Sequence, residues 1–155
     1  MSKLPVLAGI LVAGALIAPG LAQTAAPLSP LQIIAARQAA YDMSSATFIG
    51  MIHAVKGGGD AKAEGDSAAA LAKWAKVLPT LFPAGTGQGQ TTAESKAKLE
   101  IWSDRAGFDK AAENYIAQTT KLSALAEAGD TPGFTAQLGE VKNACSACHK
   151  DYKAR

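Results

Sequence analysis

Cys145-Ser146-Ala147-Cys148-His149, close to the C-terminus, is the stretch of the 155-residue chain that best predicts both its fold and its site. The spacing C-x-x-C-H is the attachment motif of c-type haem, in which two thiols add to the haem vinyl groups and the imidazole binds the iron. If the stretch is helical, positions i, i+3 and i+4 share one face, so the three side chains point the same way. We therefore predict one haem c, with Cys145 and Cys148 as thioether residues and His149 as axial iron ligand.

Two other interpretations of the motif fit the sequence less well. A structural zinc site takes about four ligands, whereas the chain has two cysteines and only one further histidine, His53. A thioredoxin-like dithiol places its reactive cysteine at a helix N-terminus, where the pKa of the thiol falls. Here a helical pattern precedes Cys145, so that the motif is interior to a helix, where a disulfide also has poor geometry.

The N-terminus predicts an exported protein. Lys3 is followed by an apolar run over residues 4–18, and Gly20-Leu21-Ala22 then offers small residues for cleavage. The run is too short for a membrane span, so we interpret residues 1–22 as a secretory signal peptide, cleaved after Ala22 or alternatively after Ala25. The expected destination in bacteria is the periplasm.

The remaining residues, 23–155, are enough for one domain with its own core. The formal charge of +2 falls to +1 when Lys3 is removed with the signal peptide, and this balance gives no reason to expect nucleic acid or an anionic membrane as a partner. Aromatic residues make up only 6% of the chain, alanine is abundant, and no segment alternates with period 2. The composition predicts an all-α domain.

Four segments show helical periodicity between cap and break signals. They are predicted at 30–56, from a cap at Asp66-Ser67 to Pro79, from Ser103 or Asp104 to Gly129, and from Thr131-Pro132 to the C-terminus, with a flexible loop at 57–65. The apolar stripe of the last helix contains Phe134, Leu138, Val141, Cys145, Cys148 and Tyr152. Short connections between four helices predict an antiparallel bundle with haem c in its core.

A C-terminal C-x-x-C-H on the last of four helices resembles the class II cytochromes c, which comprise cytochrome c′ and its low-spin relatives. The resemblance covers nearly all of 30–155. Further matching stretches are Arg37-Gln38, Phe48 with Val55-Lys56-Gly57, Leu81-Phe82-Pro83-Ala84-Gly85-Thr86, Glu100-Ile101-Trp102-Ser103-Asp104, Lys121-Leu122-Ser123, Ala128-Gly129-Asp130 and Tyr152-Lys153.

The resemblance implies a role for three residues of the first helix. Arg37 and Gln38 would lie near the haem propionates, where a guanidinium can give two parallel hydrogen bonds to a carboxylate. Four residues after Arg37, low-spin members carry a methionine that binds iron, whereas cytochromes c′ carry a bulky residue that does not. Here the position is Tyr41, which is neutral with a pKa near 10 and is a poor ligand. We expect a five-coordinate, high-spin haem with Tyr41 covering its distal face.

Two other residues could in principle supply a sixth ligand. Met43 lies about 200° round the helix from Tyr41, and His53 lies about 18 Å further along it. Neither is expected to face the iron together with Tyr41. One departure from the family pattern is Lys153, four residues after His149, where cytochromes c′ often have arginine.

The function implied by the resemblance is binding of small diatomic gases, nitric oxide and carbon monoxide, with possible transfer of single electrons. The alternative is a low-spin, six-coordinate class II cytochrome c that acts only as an electron carrier. We do not expect an enzyme such as a peroxidase, because no distal histidine is evident. A homodimer formed through the first two helices is consistent with the resemblance.

Overall fold

The computed structural model describes residues 26–155, which are mostly helical. The helices are α1 (Pro30–Lys56), α2 (Gly65–Val77), the single-turn α3 (Glu100–Ser103), α4 (Arg105–Ala128) and α5 (Thr131–Tyr152). The four long helices form the predicted antiparallel bundle. The predicted signal peptide, residues 1–22, lies outside the described residues.

In the part of the chain from residue 26 onward, no helix is long and apolar enough to cross a membrane.

Helix α4 is the centre of the bundle, since it packs along both α2 and α5, while α1 covers α2 and also reaches α5. The predicted stripe of α4 faces this core, and its members are all buried: Phe108, Ala112, Tyr115, Thr119, Leu122 and Ala126. Phe134 and Val141 of α5 and Met51 of α1 are fully buried against it. An apolar face with a period of 3.6 residues therefore decides which side of each helix is turned inward.

The helix starts were predicted correctly at α1, α4 and α5 and wrongly at α2, although the residue that caps α5 differs from the expected one. Ser29 forms a capping box with Gln32 at the start of α1. At α5 the cap is Asp130, whose Oδ1 accepts from the Gly133 N–H at 2.9 Å, and not Thr131. The Thr131 hydroxyl instead accepts a hydrogen bond at 3.0 Å from the backbone N–H of Ala61.

That contact explains why the expected loop at 57–65 is partly ordered. Residues Ala61–Glu64 form one turn of 3-10 helix, with Asp60 as its cap and Ala61 fully buried. Helix α2 follows directly at Gly65, so that Asp66-Ser67 lies inside the helix and does not cap it. A tertiary hydrogen bond, which local sequence does not reveal, fixes this segment.

The irregular connection before α3 runs beside the C-terminus. Ala97 and Lys153 form an isolated antiparallel bridge. The Lys98 N–H donates to the Tyr152 carbonyl at 3.1 Å, and the Ala154 N–H donates to the Lys96 carbonyl at 2.9 Å. The chain that follows α5 is thereby held against the wall of the bundle.

Shortening a side chain in the core of α4 tests this packing. Leu122 is completely buried, so Leu122→Ala should lower the free energy of unfolding by about 2–5 kcal/mol, from lost burial and from the cavity that remains. Leu99, which is 52% exposed, is the matched control, and Leu99→Ala should cost well under about 1 kcal/mol. Urea unfolding of the two variants measures the difference, and equal losses would contradict the assigned core.

Candidate functional site: a cavity beside the Cys-x-x-Cys-His motif

A partly open cavity of about 600 Å³ lies between α1, α4, α5 and the segment that precedes α3. Its volume lies in the range typical of ligand and cofactor pockets. Its apolar wall includes Leu78, Phe82, Ile101, Phe108, Ala112 and Ala144. All six residues predicted for the site line it: Arg37, Gln38, Tyr41, Cys145, Cys148 and His149.

Helix α5 brings the three motif residues to this cavity together. Cys145 and Cys148 are half-buried free thiols, and His149 is more exposed. Burial raises the pKa of both thiols, and the neighbouring Cys145 and Asp151 help to raise that of Cys148 to about 11. Burial, and then the nearby Lys153 ammonium, lower the pKa of His149. The shift favours the neutral imidazole, which is the form that binds a metal.

The donor set and the cavity fit a covalently attached haem. Two thiols on one helical face would attach the ring, and the adjacent imidazole would hold its iron, within an apolar space of suitable size. Residues 26–155 contain no group of three or more His, Cys, Asp or Glu side chains placed to hold a metal ion directly. The zinc interpretation of the motif therefore gains no support from the structure.

Tyr41 lines the cavity from α1. Its ring meets the ring of Trp74 edge-to-face, with 5.5 Å between the centroids and 86° between the planes. Burial raises the pKa of the Tyr41 hydroxyl, with a smaller contribution from the nearby Cys148. The phenol is therefore neutral at physiological pH and is held by an aromatic neighbour on α2.

The two alternative sixth ligands lie elsewhere. Met43 is 65% exposed and lines a separate small groove between α1 and α2, next to Thr47 and Trp74. His53 is exposed on α1 and is not among the residues that line the large cavity. Both placements agree with the expectation that neither side chain faces the cavity together with Tyr41.

Arg37 is a buried cation, only 4% exposed, and not a solvated charge on the helix surface. Its two terminal nitrogens donate to the Leu81 carbonyl at 3.1 Å, to the Thr86 hydroxyl at 3.1 Å and carbonyl at 2.9 Å, and to the Ser95 hydroxyl at 3.0 Å. The guanidinium also lies 4.4 Å from the centre of the Phe82 ring. Burial lowers the pKa of Arg37.

These contacts show that Arg37 fastens the segment 81–95 to α1. Gln38 does the same from the next position, since its Nε2 donates to the Glu94 carbonyl at 2.8 Å. Both terminal nitrogens of Arg37 already donate to the protein. Bidentate hydrogen bonding to a haem propionate would therefore compete with these bonds. A role of Arg37 and Gln38 toward the propionates stays a prediction, and their role in holding the cavity wall is an addition to it.

Sequence reasoning missed three residues of this region. Tyr115 of α4 lines the cavity, and burial raises the pKa of its hydroxyl. Its position on the apolar stripe had marked it only as a core residue. Thr86 and Ser95 accept the hydrogen bonds of Arg37, but they lie in an irregular segment where no spacing rule marks them out.

Two thiols and an imidazole on one helical face, turned into a cavity of a four-helix bundle, define the class of c-type haem proteins. The sequence pattern of the family described as cytochrome C′ matches residues 32–153 of the chain. The chain belongs to the cytochrome c′ family, whose members bind haem c.

Individual members show the same relationship. Cytochrome c′ of Alcaligenes xylosoxydans xylosoxydans is 33% identical over 126 residues, which cover 81% of this chain and 96% of the relative. The crystal structure of cytochrome c′ from Rubrivivax gelatinosus is similar with a TM-score of 0.71 and 33% identity, covering 81% of this chain and 97% of that one. A nitric oxide complex of a variant of cytochrome c prime from Alcaligenes xylosoxidans gives a TM-score of 0.72 at 30% identity, over 81% and 97%.

Replacing Arg37 by lysine tests its role in the cavity wall. Arg37→Lys keeps the positive charge, but a single ammonium group cannot reach all the acceptors that the planar guanidinium binds. We expect it to lower the free energy of unfolding by about 2–4 kcal/mol, because buried acceptors lose charge-assisted hydrogen bonds.

The control is Arg105→Lys, since Arg105 is exposed and pairs with Asp109 at 2.9 Å on the same helix. Such a pair is worth only about 0.3–0.5 kcal/mol. Urea unfolding measures the stability of both variants. An Arg37→Lys variant as stable as Arg105→Lys would show that the hydrogen bonds between Arg37 and the segment 81–95 contribute nothing to stability.

Proposed function

We propose that the protein is a five-coordinate, high-spin haem c protein that binds small uncharged diatomic gases, nitric oxide and carbon monoxide. The observation that carries this proposal is that Tyr41, a side chain unsuited to bind iron, lines the same cavity as Cys145, Cys148 and His149. When bound, the haem supplies an iron with one open coordination position. Complexes with nitric oxide and with carbon monoxide of variants of the similar cytochrome c prime from Alcaligenes xylosoxidans support the choice of ligand.

In this proposal, residues of α5 and residues of α1 have different roles toward the haem. On α5, His149 would hold the iron, and its lowered pKa favours the neutral imidazole that can coordinate a metal. On α1, Tyr41 covers the open position and restricts access to small molecules. The apolar wall around Phe82, Ile101 and Phe108 excludes water and favours uncharged gases over anions.

Electron transfer and export are further parts of the proposal. A single haem c can pass one electron at a time, and the apparent signal peptide at residues 1–22 suggests the periplasm. A homodimer through α1 and α2 is also proposed, and the exposed Met43 beside the groove between these helices is in keeping with it. The protein would act by binding and electron transfer and not by turnover, since His149 is the one histidine among the described residues that line the cavity.

The first experiment is an absorption and EPR study of the haem-loaded protein, ferric and ferrous, with and without nitric oxide. We expect a high-spin ferric signal and a ferrous form that binds nitric oxide readily. A low-spin ferric signal with a methionine–iron charge-transfer band would instead favour the low-spin electron carrier, with Met43 turned inward. Absence of covalent haem would contradict the whole proposal.

Substitution of Tyr41 tests the distal cover directly. Tyr41→Met places a thioether where low-spin class II cytochromes c have their sixth ligand, so the ferric haem should become low-spin. Tyr41→Phe, the control, keeps the ring without the hydroxyl and should stay high-spin and bind nitric oxide. A Tyr41→Phe variant that becomes low-spin would show that the hydroxyl, and not the ring, prevents a sixth ligand.

Tyr41 also predicts the pH dependence of the spectrum. Burial raises the pKa of the phenol above its usual value of about 10, so the hydroxyl stays protonated as the pH rises to that value. The ferric spectrum should show no tyrosinate ligation up to about pH 10, and a pH titration followed by absorption checks this. A tyrosinate band that appears near neutral pH and is lost in Tyr41→Phe would contradict it.

A further inference from the structure

Asp104 joins the start of α4 to the end of α5. One carboxylate oxygen, Oδ1, accepts from the Gly107 N–H at 3.2 Å and so caps α4. The other oxygen, Oδ2, accepts from the Tyr152 hydroxyl at 2.8 Å. Tyr152 is the last residue of α5 and stands three residues after His149, so both line the same cavity.

Tyr152 is fixed by ring packing and by backbone hydrogen bonds. It is 8% exposed, and its ring meets the ring of Phe108 edge-to-face at 5.4 Å. Its carbonyl accepts from the Lys98 N–H at 3.1 Å, while the next residue, Lys153, donates its N–H to the His149 carbonyl at 3.2 Å. The final turn of α5, which carries His149, is thus fixed both by its backbone and by the Tyr152 side chain.

Gly107 shows that close packing is built around this hydrogen bond. A Cβ at position 107 would collide with the Asp104 carboxylate and with the Tyr152 hydroxyl. Glycine is otherwise unfavourable within a helix by roughly 0.5–1 kcal/mol relative to alanine. The glycine in the first turn of α4 leaves room for the Tyr152 hydroxyl beside the capping carboxylate of Asp104.

We propose that Asp104 is a positioning residue for His149, acting through the Tyr152 hydroxyl to fix the rotation of the last turn of α5. The inference rests on the proposed haem attachment at this motif. A small rotation of this turn changes the direction of the imidazole relative to a ring that Cys145 and Cys148 hold in place. The strength of the iron–histidine bond is then set in part by a carboxylate on another helix.

Two variants break the contact in different ways. Tyr152→Phe removes the hydroxyl and keeps the ring against Phe108. Gly107→Ala keeps both partners and forces them apart, although alanine is the better helix former. The matched control is Gly139→Ala on α5, where an added Cβ meets nothing within 4 Å.

The readouts are the iron–histidine stretching band of the ferrous haem-loaded protein, by resonance Raman, and hydrogen exchange of the Lys153 and Ala154 amides. We expect both test variants to shift the band and to speed this exchange about tenfold, the effect of losing about 1.4 kcal/mol of local stability. Gly139→Ala should change neither readout.

An unshifted band in both test variants, or an equal shift in Gly139→Ala, would overturn the inference. Faster exchange with an unshifted band would also overturn it, because the contact would then stabilise the helix end without orienting His149. A wild-type protein without covalent haem would contradict the proposed function instead, and the absorption spectrum distinguishes that case before any variant is made.

Discussion

The arrangement on which the rest of the structure depends is that two thiols and one imidazole share a single face of α5. Helical spacing places them side by side, but only the rotation of the helix decides whether that face meets the cavity or the solvent. Phe134, Leu138 and Val141, buried on the same stripe, fix this rotation by packing against α4. The hydrophobic core and the attachment site are therefore specified by one and the same periodicity.

The wall formed by α1 and the segment 81–95 is built on a different principle, a buried cation that has no carboxylate partner among residues 26–155. Arg37 is surrounded by neutral acceptors and by the Phe82 ring, and these contacts tie an irregular segment of the chain to α1. Burial of an unpaired charge is costly unless hydrogen bonds compensate for lost water. The positive charge beside the cavity agrees with the predicted attraction of the propionates at longer range, while the terminal nitrogens of Arg37 remain bonded to the wall.

Much of this organisation could be predicted because it is local. The motif, the four helices and the inward stripes follow from spacing and cap signals, and the family resemblance adds Arg37, Gln38 and Tyr41 as residues of the site. The structure brings all three to the cavity with the motif residues. What could not be predicted depends on contacts between distant segments, such as the Ala61–Thr131 bond that orders part of the expected loop. The partners of Arg37 and Tyr152 are of the same kind, since neither spacing nor composition indicates which acceptor a buried donor will find.

The burial that shapes the site also determines the chemistry of its two cysteines. Both thiols have raised pKa values, so they are protonated near neutral pH and are poor nucleophiles toward disulfides. Their positions on one helix also disfavour the geometry of a bridge. Burial and helical geometry therefore both disfavour a disulfide between the two cysteines, while α5 keeps both sulfurs at the cavity. A helix interior is therefore an unsuitable place for a redox dithiol, and a suitable place for two thiols that must both face one ring in the cavity.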